Sequence, residues 1–490
     1  MDPILVLAYI AVILMAGVLC SFVSKELKLP YNLMLILLGL FLGGLYYSGR
    51  AVVSVDTGFV VGVGTLALIL LVFDSSSRLK VNETTKEAVH AVNVINLFTL
   101  VSVVVVSMVT SYLFFASVTL TAVLYSLLFS VLVIETDLGS VLLLFKDFAR
   151  DRARHVLLFL ESEANINTAF VILLPFVVLG IMRNVDYENQ SLLSALLVNF
   201  PEFLYEILIA VGIGIVIGLI FLRILKNWYD DNFSPVALVT ASLVAFVFAN
   251  LMGGNGIIAV AVMGFFYGNV YVSGRDQMSE FSGMFSSALE ILIFVMLGMF
   301  VRLPISFVYI LKTLLLFAVI VGVRVLAVML ALHRDKSFRF SEKLFIGVNM
   351  PKGLALATVI LVLSTYGVFG LNVVLQLAVM MMLYSIVSSF VLDFYAEKFM
   401  HEAVRMPLSS RSGVRVLEMK SAAAIAPMPA RKRRSRPARK AAVRKAALPA
   451  RKAPKPAKKV ISKAKKPVIQ AAPRKAKTAM KKPAAKKKRR

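Results

Sequence analysis

Eight ionisable side chains lie inside apolar segments of this 490-residue chain: Asp74, Glu135, Asp137, Glu161, Glu163, Glu290, Arg324 and Lys352. Such groups are costly where water is scarce, and they mark ion or proton pathways. Carboxylates outnumber bases six to two, which suits a cation. Burial favours the protonated carboxyl, whereas a cation or a neighbouring Arg favours the carboxylate. A group balanced this way releases its proton when a cation arrives, and competition for one site is enough to couple two fluxes. Plainer roles stand beside this one. Arg324 can neutralise Glu161 in a structural pair, Glu290 fits a packing or capping role better than a ligand, and Asp74 can lie at an interface.

The elements that position these groups are membrane helices. The chain is 59% hydrophobic with a mean hydropathy of +0.83, and about 20 apolar residues cross a hydrocarbon core of roughly 30 Å. Thirteen candidate spans follow: 3–22, 31–48, 56–73, 89–115, 118–145, 155–181, 203–225, 234–252, 256–272, 283–301, 305–332, 343–366 and 370–396. The first, preceded by Met-Asp-Pro rather than a basic segment, reads as a retained helix. The lone Cys20 permits no intramolecular disulfide. With the C-terminus placed in the cytoplasm, cytoplasmic loops hold 16 Lys/Arg and the opposite loops 3, namely Arg50, Arg183 and Arg302. That asymmetry supports both the count and an orientation with the N-terminus outside.

Two spans carry interruptions. The fifth contains Glu135-Thr136-Asp137-Leu138-Gly139-Ser140, and the twelfth contains Asn349-Met350-Pro351-Lys352-Gly353. Span 5 is fifth in a unit of six, and span 12 is fifth in a second unit beginning at span 8. Paired interruptions of this kind point to a binding site in transporters built from inverted repeats. Unwound backbone is tolerated at that depth where protein or a water-filled cavity satisfies it. The fold expected is an all-α polytopic membrane protein of about 13 helices, with two broken crossing helices over residues 1–400.

With these residues in view, the chain resembles the sodium/proton exchanger family of monovalent cation:proton antiporters. The resemblance rests on Thr136-Asp137 in the unwound helix and on Glu161-Ser162-Glu163-Ala164-Asn165, similar to a Glu-Ser-x-x-Asn element. It also rests on Gly254-Asn255-Gly256 through Gly264 and Gly268-Asn269, on Glu290 through Gly298, on Arg324, and on Pro351-Lys352-Gly353 with Lys for the usual Arg. It implies a core domain moving against a scaffold, often as a homodimer. Asp137, the Thr136 backbone and Ser162 would hold the monovalent cation. Asp74 would act directly or through water, and Arg324 would hold Glu161 and Asn165. The family follows its Asn with an ion-binding Asp, whereas Ile166 follows Asn165 here, and Leu138 replaces a Pro. Glu163, one turn from Ile166, either supplies the missing carboxylate or pairs elsewhere.

Residues 1–400 have a net charge of −2, and residues 401–490 have +29. The latter, with runs such as Arg431-Lys432-Arg433-Arg434, cannot bury a core and read as a disordered tail. Anionic lipid is its first expected partner and nucleic acid the second; enforcing topology is a third role. No G-x-x-x-x-G-K-[ST] signature or Cys/His cluster occurs, so neither an enzyme nor a cofactor is expected. The expected activity is exchange of protons for Na⁺ or K⁺. The rivals are a non-transporting anchor or sensor that tethers its basic tail, and a channel.

Overall fold

The computed structural model describes residues 3–27, 29–44, 46–47, 50–51, 57–79, 86–116, 119–137, 153–183, 192–228, 230, 233–270, 275–335, 337–366 and 370–401. The basic tail beyond His401 and residues 138–145 of span 5 lie outside the described residues.

Fourteen α-helices run in order among the described residues: α1 Pro3–Leu27, α2 Tyr31–Gly44, α3 Thr57–Ser77, α4 Lys86–Thr110, α5 Leu120–Leu132, α6 Ala153–Arg183, α7 Leu192–Asn227, α8 Phe233–Leu251, α9 Gly256–Asn269, α10 Arg275–Phe300, α11 Phe307–Ala331, α12 Phe340–Val348, α13 Leu354–Leu363 and α14 Leu371–His401. With the interrupted pair α12–α13 taken as one span, these are the thirteen expected segments. Among the described residues, eight helices are long and apolar enough to cross a membrane, and five shorter apolar helices accompany them. Helices suit this composition because lipid offers no partners to backbone N–H and C=O groups, so each segment must satisfy its own. Large apolar side chains such as Leu7, Met15, Phe22, Leu219 and Phe307 stand exposed on the outer helices, as a lipid-facing surface requires.

Several helices run past the apolar windows. The seventh covers 36 residues with Pro201 inside it, against an expected 203–225. Hydropathy marks only the part in hydrocarbon, while the hydrogen-bonded turn continues into water. Two features were not legible in composition: a π-helical turn at Ser111–Phe115 ending in left-handed Ala116 (φ 49°), and a two-residue hairpin pairing Tyr46–Tyr47 with Arg50–Ala51.

Small residues set the closest packing. Gly39 of α2 and Gly298 of α10 face each other so closely that a Cβ on either would collide with the other helix's backbone, as small-residue membrane interfaces allow. The Gly254-Asn255-Gly256 segment starts α9: Asn255 Oδ1 accepts from the N–H groups of Ile257 (3.0 Å) and Ile258 (3.3 Å). At the far end Asn269 Nδ2 donates to Leu79 O at 2.8 Å. These two motif residues fix the ends of a helix that packs on α3.

Candidate ion site at the crossing of two interrupted helices

The fifth helix stops at Leu132, and Glu135-Thr136-Asp137 continues as irregular chain. The twelfth stops at Val348, and Asn349 to Gly353 lead extended into α13. Each interruption leaves helix-end groups without intrahelical partners. Here each break supplies what the other lacks. The Glu135 carboxylate accepts from the N–H of Gly353 (3.0 Å) and of Leu356 (3.1 Å), closing the start of α13. The Lys352 ammonium donates to the carbonyls of Val133 (2.5 Å) and Glu135, closing the end of α5. An anion at a helix start and a cation at a helix end both match the macrodipole. Both side chains are buried, at 1% and 0% exposure.

The crossing places Asp137. Its N–H donates to Pro351 O at 2.8 Å, which ties the two breaks together directly. Gly353 lies against it so closely that a Cβ there would meet the Asp137 carboxyl group. Thr136, buried beside it, has its Oγ1 bonded by Asn167 Nδ2 at 3.0 Å, and the same Nδ2 donates to Ile134 O at 2.8 Å. Asn167 of α6 thus holds the unwound segment in place.

The ion pair expected between Glu161 and Arg324 is not formed. Arg324 of α11 pairs with Glu163: Nη1 is 2.8 Å from Oε1, and Nη2 donates to Oε2 at 3.0 Å. Both side chains are fully buried, and the guanidinium lies 5.3 Å from the Phe98 ring centroid. Glu161 is exposed, and Ser162 and Asn165 are half-buried, none bonded to the crossing among the described residues. The reason is helical register. A Glu-x-x-x-Asn spacing occurs twice, two residues apart, as Glu161…Asn165 and Glu163…Asn167. At about 100° per residue, a two-residue slip turns a side chain to nearly the opposite face. Structure selects the second copy.

This corrects the reading of Glu163 as a substitute ion ligand, because its carboxylate is committed to Arg324. It also moves the departure from the family pattern. In the observed register the residue after the Asn is Thr168, and Ala164 takes the place of the Ser. The Thr168 hydroxyl donates to Ala164 O at 2.7 Å. Asn167 was missed in the sequence, where the repeated spacing was its only signal.

The remaining candidates lie away from these bonds. Asp74, at the end of α3, pairs with Arg78 at 2.8 Å, with side-chain exposures of 27% and 54%. Glu290, half-buried on α10, lines a crevice of about 540 Å³ between α1, α2 and α10, together with Ser21, Lys25 and Tyr31. Outside the spans, Asp335 accepts from Ser337 Oγ at 2.6 Å and lies 2.9 Å from His90. The Ser337 hydroxyl, above all, holds this carboxyl below its ordinary range. His155 and Glu342 form a second pair at 3.3 Å, and the Phe338 ring lies against both imidazoles. No group of His, Cys, Asp and Glu fit for a metal ion occurs among the described residues.

Residues 10–398 match the family model described as "Sodium/hydrogen exchanger, transmembrane". The chain belongs to the sodium/hydrogen exchanger family. Among curated relatives of this exchanger is a "Probable Na(+)/H(+) antiporter 2" of Methanocaldococcus jannaschii, 26% identical over 379 residues, covering 73% of this chain and 84% of the relative. Another is a "K(+)/H(+) antiporter NhaP2" of Shewanella sp. strain MR-4, 25% identical over 342 residues, of whose length the chain spans 56%. The exchanger fold is seen also in the solved structure of the sodium proton antiporter MjNhaP1 from Methanocaldococcus jannaschii at pH 8. That match has a TM-score of 0.63 at 17% identity and covers 83% of this chain and 100% of that one.

Proposed function

We propose that this exchanger moves protons one way and a monovalent cation, Na⁺ or K⁺, the other by alternating access. The observation that carries the reading is Asp137: a carboxylate placed at the junction of two interrupted helices, beside the Thr136 backbone, inside a family fold. Proton and cation compete for that carboxylate, so the site returns loaded with one or the other. Asp74 joins through water. Glu163, Arg324 and Asn167 position the unwound segment rather than bind the ion.

The finer assignments rest on sequence. The Lys/Arg asymmetry of the loops supports a cytoplasmic C-terminus and an external N-terminus in the cell membrane. The family resemblance supports a homodimer. The basic tail fits the surface of anionic lipid, and less specifically nucleic acid.

The test is proton flux in proteoliposomes on addition of Na⁺, K⁺ or Li⁺, with the full chain, with the chain cut at about residue 420, and with Asp137→Asn. Cation-dependent flux in the first two and none in the folded Asp137→Asn protein is expected. Wild-type flux in Asp137→Asn would overturn the site assignment.

A further inference from the structure

Among the described residues three helix ends flank the two interruptions, and their treatment is unequal. The end of α5 is closed by Lys352, and the start of α13 by Glu135. The end of α12, which corresponds by repeat to the end of α5, is followed by Asn349. This side chain is 1% exposed, and neither its Nδ2 nor its Oδ1 has a hydrogen-bond partner among the described residues. Its backbone N–H does bond, to Phe345 O at 2.9 Å, so the cap itself is well formed. A buried amide with both polar atoms unbonded is rare in native proteins, and each instance calls for a physical account.

A second such group lies on α14, the helix that packs against α12. Ser385 of α14 accepts the Lys352 N–H at 3.2 Å. Ser389, one turn further along the same face, is 2% exposed, and its hydroxyl has no partner among the described residues. One unbonded buried group thus follows the negative end of a half-helix, and the other lies on the helix packed against that half-helix. Backbone and amide oxygens at half-helix C-termini are the groups that hold alkali cations inside transporters.

We propose that Asn349 Oδ1, Ser389 Oγ and the carbonyl end of α12 form a second, transient station for the transported monovalent cation, separate from Asp137. This rests on the exchange reading above. The station has no carboxylate, and the Lys352 ammonium is bound to the opposite helix end, so occupancy is weak. A weak site suits a waiting position, which must release its ion. Pro351, two residues on, contacts Asp137 through its carbonyl, so the station adjoins the main site along one short stretch of chain.

The experiment compares Asn349→Leu, Asn349→Asp and Ser389→Ala with the wild type in proteoliposomes, reading proton flux against Na⁺ and K⁺ concentration. Asn349→Leu keeps the volume and removes both polar atoms. It should raise the cation KM about tenfold while kcat at saturation holds, the signature of a lost binding contact. Asn349→Asp should lower the KM, and Ser389→Ala should raise it less. An unchanged KM in Asn349→Leu, together with a higher melting temperature, would show an orphan amide or a structural water and overturn the station. If the wild type shows no flux, the exchange reading fails by itself. The station is then judged by cation-induced thermal stabilisation in RbCl. It stands if Asn349→Leu reduces the shift seen in the wild type and falls if the two shifts are equal.

Discussion

Glu135 and Lys352 exchange helix ends: the carboxylate from the first break closes the start of α13, and the ammonium from the second closes the end of α5. Neither of these half-helix ends has a side-chain cap from its own segment, so each break draws on the other. The crossing is thus one cooperative unit made from segments 217 residues apart.

Removing one member should therefore undo both. Lys352→Met leaves a buried carboxylate and two bare carbonyls, a loss of about 3–5 kcal/mol by analogy with broken buried pairs. The detergent-solubilised protein should melt at a markedly lower temperature. Lys352→Arg, which keeps the charge, should recover most of the loss. Equal melting for Lys352→Met and the wild type would show that the cap is dispensable.

The two copies of the Glu-x-x-x-Asn spacing make opposite predictions. Glu163→Ala strands the Arg324 guanidinium and should destabilise by about 3–5 kcal/mol. Glu161→Gln, on the exposed face, should stay within about 0.5 kcal/mol. A double-mutant cycle between positions 163 and 324 should give a large coupling, and one between 161 and 324 should give none. The reverse pattern would restore Glu161 to the pair.

Gly353 and Asp137 are packed so closely that any side chain at 353 collides with the carboxyl. A methyl placed there would lie 2.6 Å from Asp137 Oδ2. Gly353→Ala should displace the carboxylate, at an overpacking cost of about 1–3 kcal/mol, and abolish exchange while the protein remains folded. Normal exchange in this variant would mean that Asp137 moves freely and that the crossing does not fix it.

How much of this was legible follows from period and depth. Apolar length gave the helices, because hydrocarbon thickness fixes span length, and the charged interruptions at Glu135 and Lys352 located both breaks. Asp137 and Thr136 were found at the crossing because unwound polar residues have little other use there. The pairing of Arg324 was misread because Glu161…Asn165 and Glu163…Asn167 share one spacing, and only helix rotation against α11 separates them. The caps were invisible for a different reason. A carboxylate that closes a helix start and one that binds a cation have the same composition, and three-dimensional partners alone distinguish them. Asn349 was legible only as part of the second interruption, because it carries no charge that would single it out.

At the margin of the membrane part, Asp335 gives a pH dependence of definite sign. Its carboxyl is held below the ordinary value of about 3.9, chiefly by the Ser337 hydroxyl. A depressed folded pKa contributes stability that is full above the unfolded value and is lost as pH falls through the folded one. Asp335→Asn should therefore lower the melting temperature at pH 7, and the difference from wild type should shrink as pH falls below the ordinary carboxyl range. A difference that persists undiminished into acid would assign the loss to packing.

The charges buried around the crossing also cancel. Glu163 and Arg324 sum to zero, and so do Glu135 and Lys352, whether ionised or after passing a proton between them. Asp137 then adds one negative charge, which a single alkali ion or a single proton neutralises. If Asp137 is the exchange site proposed above, either loaded form would traverse the bilayer with no net charge at its centre, and the transmembrane potential, which acts with about 2.3 kcal/mol per charge per 100 mV, would have nothing to pull on. Turnover should be the same in vesicles clamped at 0 mV and at about −100 mV, so ion concentrations alone would set its direction.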